Sequence, residues 1–249
     1  MRILSVLLVF FVVSLTGCTS PLVPLLPKCP PPESAKIGVS ISIPDTMHHY
    51  HIGTTIFNNF EEEFRVDGSL EKSLYAEFKR QVTDLGYEFV VIEPTEDLLS
   101  LRENHTVSFE KNLILNPDTE PMLKELFNVK KIDMLIIVKT GETDLMVPNT
   151  YIRVRDYGVA TRNFLALGEV KVFMSTRGTL ITKNPYAIWR TGDRDWVAVL
   201  DEKGLFGNFG NLSEDDLFSI DKAIKGFSEK IVSMNLELAN LKAKKEAKQ

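Results

Sequence analysis

Cysteine is scarce in this chain: Cys18 and Cys29 are the only two in 249 residues. A disulfide framework is therefore excluded, and the fold must stand on packing alone. Reaction signatures are missing too. There is no Gly-x-Ser-x-Gly turn and no cysteine–histidine arrangement in the setting of an activated nucleophile. Gly204 to Gly210 is glycine-rich, but it lacks the lysine and the strand–turn–helix setting of a phosphate loop and reads as a loop. Basic residues number 29 against 34 acidic ones, a formal charge of −5, with no basic stripe, which argues against nucleic acid as a partner. The one long apolar run, Ile3 to Leu15, is interrupted only by Ser5 and Ser14. It falls short of the ~20 residues a membrane-spanning helix needs.

That run, preceded by basic Met1-Arg2, has the flanks and length of a secretory signal. It ends in Leu15-Thr16-Gly17-Cys18, which resembles the bacterial lipobox: an apolar residue, two small ones, then cysteine. The resemblance implies cleavage before Cys18, a diacylglycerol on its thiol and an acyl chain on its amine. Burial of acyl chains contributes ~0.8 kcal/mol per CH₂, so several chains anchor a protein durably. Thr19 is not the aspartate that retains such lipoproteins in the inner membrane, so the expected location is the outer membrane, facing the periplasm. Loss of residues 1–17 removes one basic residue, Arg2, and leaves 28 basic against 34 acidic, a charge of −6.

Residues 18–35 read as a tether. Pro21, Pro24, Pro27, Pro30, Pro31 and Pro32 are half of the twelve prolines, a composition that favours an extended spacer of ~3.1 Å per residue. Cys29 lies within it, either as a bystander or as an intermolecular crosslink site. With 44% apolar residues, the remainder suffices for one core, and residues 36–241 are expected to form a single domain followed by a polar tail, 242–249.

Within that domain, Ile37, Val39, Ile41 and Ile43 alternate with polar or small residues, the period of a strand. Residues 44–68 look irregular. Leu70, Leu74, Phe78, Val82 and Leu85 predict a helix begun at Ser69 and stopped by Gly86. Phe89–Ile92 reads as a strand, and Thr95–Arg102 and Pro121–Phe127 as short helices. Met134–Val138, apolar on both faces, predicts a central strand covered on two sides. β-rich segments follow at 150–157, 163–175 and 178–190. The order predicts an α/β fold, a β-α-β-α-β-β-β-α sandwich with a mixed sheet and a long closing helix. That helix starts at Ser213, backed by Glu214, Asp215 and Asp216. Its apolar residues Leu217, Ile220, Ile224, Phe227, Ile231, Met234, Leu238 and Leu241 are spaced as a heptad. Either the stripe lies on the sheet as core, or Met234, Leu238 and Leu241 project beyond it to meet a partner.

Several phrases resemble the domain shared by the TolB amino-terminal region and the curli-export lipoproteins. Leu123 to Phe127 leads through Ile132-Asp133 into the buried Met134–Val138 strand and a Thr140-Gly141-Glu142 turn, and Leu180 to Trp189-Arg190 is similar to that group's hairpin strand. The resemblance implies this fold and a periplasmic, partner-binding role in envelope assembly. It carries over no channel, because no alternating hairpin with aromatic girdles is present.

Three of the four histidines fall in Met47-His48-His49-Tyr50-His51. In an extended segment His49 and His51 share a face and would suit Zn²⁺ or Cu²⁺, with His105 or Asp45 as further ligands; the alternative is a polar loop. Asp193, Asp195 and Asp201 are candidates for general acids or metal ligands, though acidic residues in turns are usually just solvated. Tyr151, Arg153, Arg155 and Tyr157 share one face of an extended run, either a solvated face or a partner-binding surface, since Tyr and Arg are hot-spot types. Trp189, Arg190, Arg194 and Trp196 form a second group of the same kind. These readings converge on a non-enzymatic, lipid-anchored periplasmic protein that binds a protein partner or self-assembles, with no cofactor. A ring-forming secretion accessory and a metal-dependent enzyme built on His48–His51 are the alternatives.

Overall fold

A computed structural model of the chain describes residues 31–32, 34–53, 55–66, 68–101, 106–107, 113–114, 118–147, 150–164, 167–183, 186–200 and 212–241. The expected signal segment 1–17, Cys18, Cys29, most of the segment read as a tether, Gly204–Gly210 and residues 242–249 lie outside those residues. The elements are β1 (Lys36–Ser42), β2 (Thr46–Ile52), β3 (Phe60–Arg65), α1 (Ser69–Asp84), β4 (Glu88–Val91), α2 (Glu96–Ser100), β5 (Thr106–Val107), β6 (Leu113–Ile114) and α3 (Glu120–Lys130). They continue through β7 (Met134–Thr140), β8 (Glu142–Val147), β9 (Thr150–Arg155), β10 (Tyr157–Phe164), β11 (Leu167–Lys183), β12 (Tyr186–Val199), α4 (Glu214–Lys225) and α5 (Ser228–Leu238). This is the α/β sandwich with a mixed sheet that the sequence predicts.

The long β11–β12 hairpin is the spine of the sheet. Through Gly178–Thr182, β11 pairs antiparallel with β7, which pairs parallel with β1, which pairs parallel with β4. Through Leu167–Met174, the same strand pairs antiparallel with β10, which runs parallel to β2. The antiparallel edge strand β3 completes that half. The two halves meet at a register shift in the hairpin between Thr176 and Gly178. There the chain leaves β7, makes the separate two-stranded ribbon β8–β9, and returns as β10.

Both faces of the sheet are covered, which is why Met134–Val138 is apolar at every position. On one face Ile37, Val39, Ile41, Met134, Ile136, Val138, Val159, Val172 and Leu180 meet α1, α4 and α5 in the main core. On the other face, Leu135, Ile137 and Ile181 pack against Leu98 of α2 and Leu123 and Phe127 of α3. The ribbon covers the remaining half of that face through Leu145, Val147 and Val154, which meet Ala160 and Phe173.

Helix α1 follows its apolar spacing, with Leu70, Leu74, Phe78 and Val82 buried. Its start differs from the expectation: Gly68, at φ 66°, is the capping residue, and Ser69 is already helical. Its end is as anticipated. Gly86 takes φ 83°, and the Tyr87 N–H reaches back to the Val82 carbonyl, a Schellman closure. Ser213 caps α4 through a reciprocal box with Asp216.

Two readings are corrected. Residues 44–68 are not irregular but supply β2 and β3. The β-rich stretch breaks after Lys183, not near residue 176, where a bulge keeps the strand continuous. The closing helical segment, 25 residues long, is tightened at Gly226–Phe227, where the Phe227 N–H bonds the Ile224 carbonyl three residues back.

Candidate functional site

Alternation along β2 sends its histidines to opposite faces of the sheet. Met47, His49 and His51 turn toward the helices; His48 and Tyr50 turn toward the ribbon. His49 and His51 share a face, as an extended segment requires. Both are buried, and they meet at one hydroxyl: Thr161 Oγ1 lies 2.8 Å from His49 Nε2 and 2.9 Å from His51 Nδ1. Phe60 stands against both rings. Burial, reinforced by the neighbouring His51, lowers the His49 pKa to about 4, so this ring is neutral in the fold at neutral pH. Of the further ligands envisaged, Asp45 is exposed in the β1–β2 turn and His105 is outside the described residues. Among the described residues no third histidine, cysteine or carboxylate converges on the His49–His51 pair.

The other face gathers charge. His48 Nδ1 lies 3.4 Å from Glu61 Oε1 and 3.8 Å from Glu63 Oε1, and its Nε2 lies 3.6 Å from Asp156 Oδ2. Asp156 holds its place through a left-handed backbone (φ 56°) between β9 and β10, a conformation Asp tolerates, and accepts from the Thr140 hydroxyl. Arg155 reaches over from the ribbon, its Nη2 2.8 Å from Glu63 and 3.3 Å from Glu61. Its backbone N–H donates to the Tyr50 hydroxyl. Burial and the nearby Glu61 raise the Tyr50 pKa, with Arg155 acting the other way, so the phenol stays protonated. At the same junction, Asp195 accepts from Thr143 at 2.6 Å and from Ser175 at 2.8 Å, tying the root of the ribbon to the spine.

On the ribbon's outer face, register sets Glu142 opposite Arg155, Asp144 opposite Arg153 and Met146 opposite Tyr151. Arg153 is paired with Glu142 at 2.9 Å and Asp144 at 3.8 Å. Met146 and Tyr151 are 56% and 67% exposed. Tyr157 does not join this face. The left-handed step at Asp156 carries it into the main core, where its hydroxyl donates to the Pro44 carbonyl.

In the closing segment, Met234 and Leu238 are half-buried, but Leu241 is completely enclosed in the main core. Trp196 is buried as well, donating to Thr176 and carrying Arg194 over its ring. The sequence reading missed Glu61 and Glu63. Their i, i+2 spacing was visible, yet a face can be assigned only once Phe60–Arg65 is known to be a strand.

No protein-family model matches the chain, and no curated protein matches it. Solved structures with a partial likeness include lipoprotein GNA1162 of Neisseria meningitidis, at 12% identity over 77% of this chain and 96% of that one, with a TM-score of 0.29. A minor lipoprotein of Acinetobacter baumannii shares 9% identity over 82% and 93%, with a TM-score of 0.33. The hypothetical protein CT253 of Chlamydia trachomatis shares 7% over 77% and 97%, with a TM-score of 0.31. At such scores these likenesses assign neither a family nor a role. Among the described residues, no helix is long and apolar enough to cross a membrane.

Proposed function

We propose that the chain is an envelope lipoprotein, anchored through Cys18 in the outer membrane, whose folded domain is a non-enzymatic module that docks a protein partner on the outer face of the β8–β9 ribbon. The observation that carries this reading is the exposed cross-strand pair Met146–Tyr151, set beside Arg153 and Asp144. Met, Tyr and Arg are the types enriched where interfaces are buried, and a lone exposed ribbon end gains nothing by displaying them to water. The lipobox and the proline-rich spacer support the anchoring, and the TolB-like and curli-export-like phrases support a role in envelope assembly.

The test is site-specific photocrosslinking in native envelopes from position 151, with exposed Lys79 on α1 as the control position. A discrete adduct from 151 that is absent from 79 and lost with Met146→Ala or Arg153→Ala, at unchanged melting temperature, is the expected result. Equal, diffuse labelling from both positions would refute the docking face.

A further inference from the structure

Buried polar atoms almost always find a hydrogen-bond partner. His48 Nδ1 does not, although the side chain is only 3% exposed. It points at two carboxylates that are themselves about half exposed, on the edge strand β3. Neither contact, at 3.4 and 3.8 Å, makes a hydrogen bond, and the shorter one equals the spacing of donors around a shared ion. A tetrahedral zinc with bonds of about 2.0–2.1 Å sets neighbouring donors about 3.4 Å apart. All three ligand atoms lie within 4.8 Å of one another.

The far side of the ring is arranged to match. Asp156 Oδ2 lies 3.6 Å from Nε2, on the opposite side of the ring from the glutamates. Ligation through Nδ1 leaves Nε2 to carry the proton, and an outer carboxylate on that side is the partner such a histidine takes. Asp156 cannot drift, since its left-handed backbone and the Thr140 hydroxyl both fix it.

We propose that His48 Nδ1, Glu61 and Glu63 bind a divalent transition-metal ion of the zinc class, with Asp156 positioning the histidine and Arg155 serving as the resident counter-cation that the metal displaces. An imidazole among two carboxylates selects such an ion over Ca²⁺ or Mg²⁺, which take six or more oxygen donors. Arg155 offsets part of the glutamates' negative charge through contacts to both. Metal and guanidinium compete for the same oxygens. The solvent-facing side of the glutamates leaves the fourth position to water.

Competition makes the proposal sharp. Detergent-solubilised full-length protein, stripped with chelator, is titrated calorimetrically with Zn²⁺ while the His48 imidazole is followed by NMR. One equivalent should bind and shift the His48 signals. Glu61→Gln with Glu63→Gln should weaken binding more than about a hundredfold, beyond the range that loss of an outer-shell partner produces. Arg155→Gln should tighten it severalfold. Both glutamates are surface residues, so the double variant keeps its fold, checked by its melting temperature. Unchanged affinity in the double variant, with shifts at His49 and His51 instead, would overturn the assignment. So would weaker binding in Arg155→Gln, or no binding by the parent protein.

Discussion

Leu241→Ala should destabilise this domain as strongly as a mid-core truncation, although Leu241 is the last member of a stripe whose spacing equally suits an intermolecular coil. The reason lies in how α5 ends. Asn240 takes φ 58°, and the Leu241 N–H bonds the Leu236 carbonyl while the Asn240 N–H bonds that of Glu237. This Schellman closure turns the chain back on itself and places the residue after the turn against the helix's own last turn. Leu241 is consequently 0% exposed, in the same cluster as Ile231 and Leu236. Buried leucine-to-alanine changes cost about 2–5 kcal/mol, the lower end applying where the surroundings can relax, as they can near the end of the described fold. A loss of about 2 kcal/mol, at a urea dependence of about 2 kcal/mol per molar, moves the unfolding midpoint by about 1 M. Ile231→Ala should behave alike, whereas half-buried Leu238→Ala should cost less. Urea unfolding of the four proteins, each at two concentrations, measures this. If Leu241→Ala leaves the midpoint in place and instead dissociates an oligomer, the stripe is a seam between chains and the closure described here is wrong.

Acid should weaken the fold through His49. Its pKa falls from 6.5 to about 4 on burial, so from pH 6.5 downward the unfolded chain binds a proton that the native state refuses. Stability should therefore decline across that window by a total of about 3 kcal/mol, and with chelator present His49→Gln should flatten the slope. Gly158→Ala should cost about 1–3 kcal/mol or block folding, since a Cβ there would stand 1.9 Å from the His48 carbonyl oxygen; a neutral result by thermal melting would contradict the observed strand spacing. Asn235→Leu should cost about 1–3 kcal/mol, because Thr191 donates to Asn235 Oδ1 at 3.1 Å in a buried setting. Cys18→Ser should leave unprocessed, unlipidated precursor, read by mass spectrometry of the envelope fraction; normal processing would refute the anchor.

Much of the fold was legible because single elements announce themselves. The alternation at Ile37–Ile43, the helical spacing at Leu70–Val82 with Gly86 behind it, and the uniformly apolar Met134–Val138 each match one geometry. What was not legible has a common cause. In β2 the face toward the helices is Met47, His49 and His51, and in β3 the outward face is Glu61, Glu63 and Arg65, so apolar alternation is replaced by polar residues that pair across strands. Histidines become interior residues only because Thr161 and Phe60 receive them, and those partners lie 112 and 11 residues from His49. The hairpin break was misplaced for a related reason. Thr176 and Arg177 fall between the two expected β-rich segments, yet with Gly178 they form the bulge where β11 changes partner from β10 to β7.

The two histidine sites are consequences of one register. A slip of β2 by a single residue would put His48 beneath the helices and bring His49 and His51 to the glutamates, exchanging every environment on the strand. Hydrophobicity alone opposes that slip weakly, because a histidine would replace a histidine. The constraint comes from the neighbours. Gly158 lets β10 approach the His48 carbonyl more closely than any other residue would permit, and Asp156, two residues before it, is locked in a left-handed step. The same short segment, Arg155 to Gly158, therefore supplies the cation on the glutamates, the carboxylate behind His48 and the gap that fixes the strand. It is also the segment through which the ribbon returns to the sheet. A change in the cation held by Glu61 and Glu63 would act first on Arg155 and so on the base of the docking face. The metal site and the proposed partner surface are thus joined by one residue, with no rearrangement of the core required.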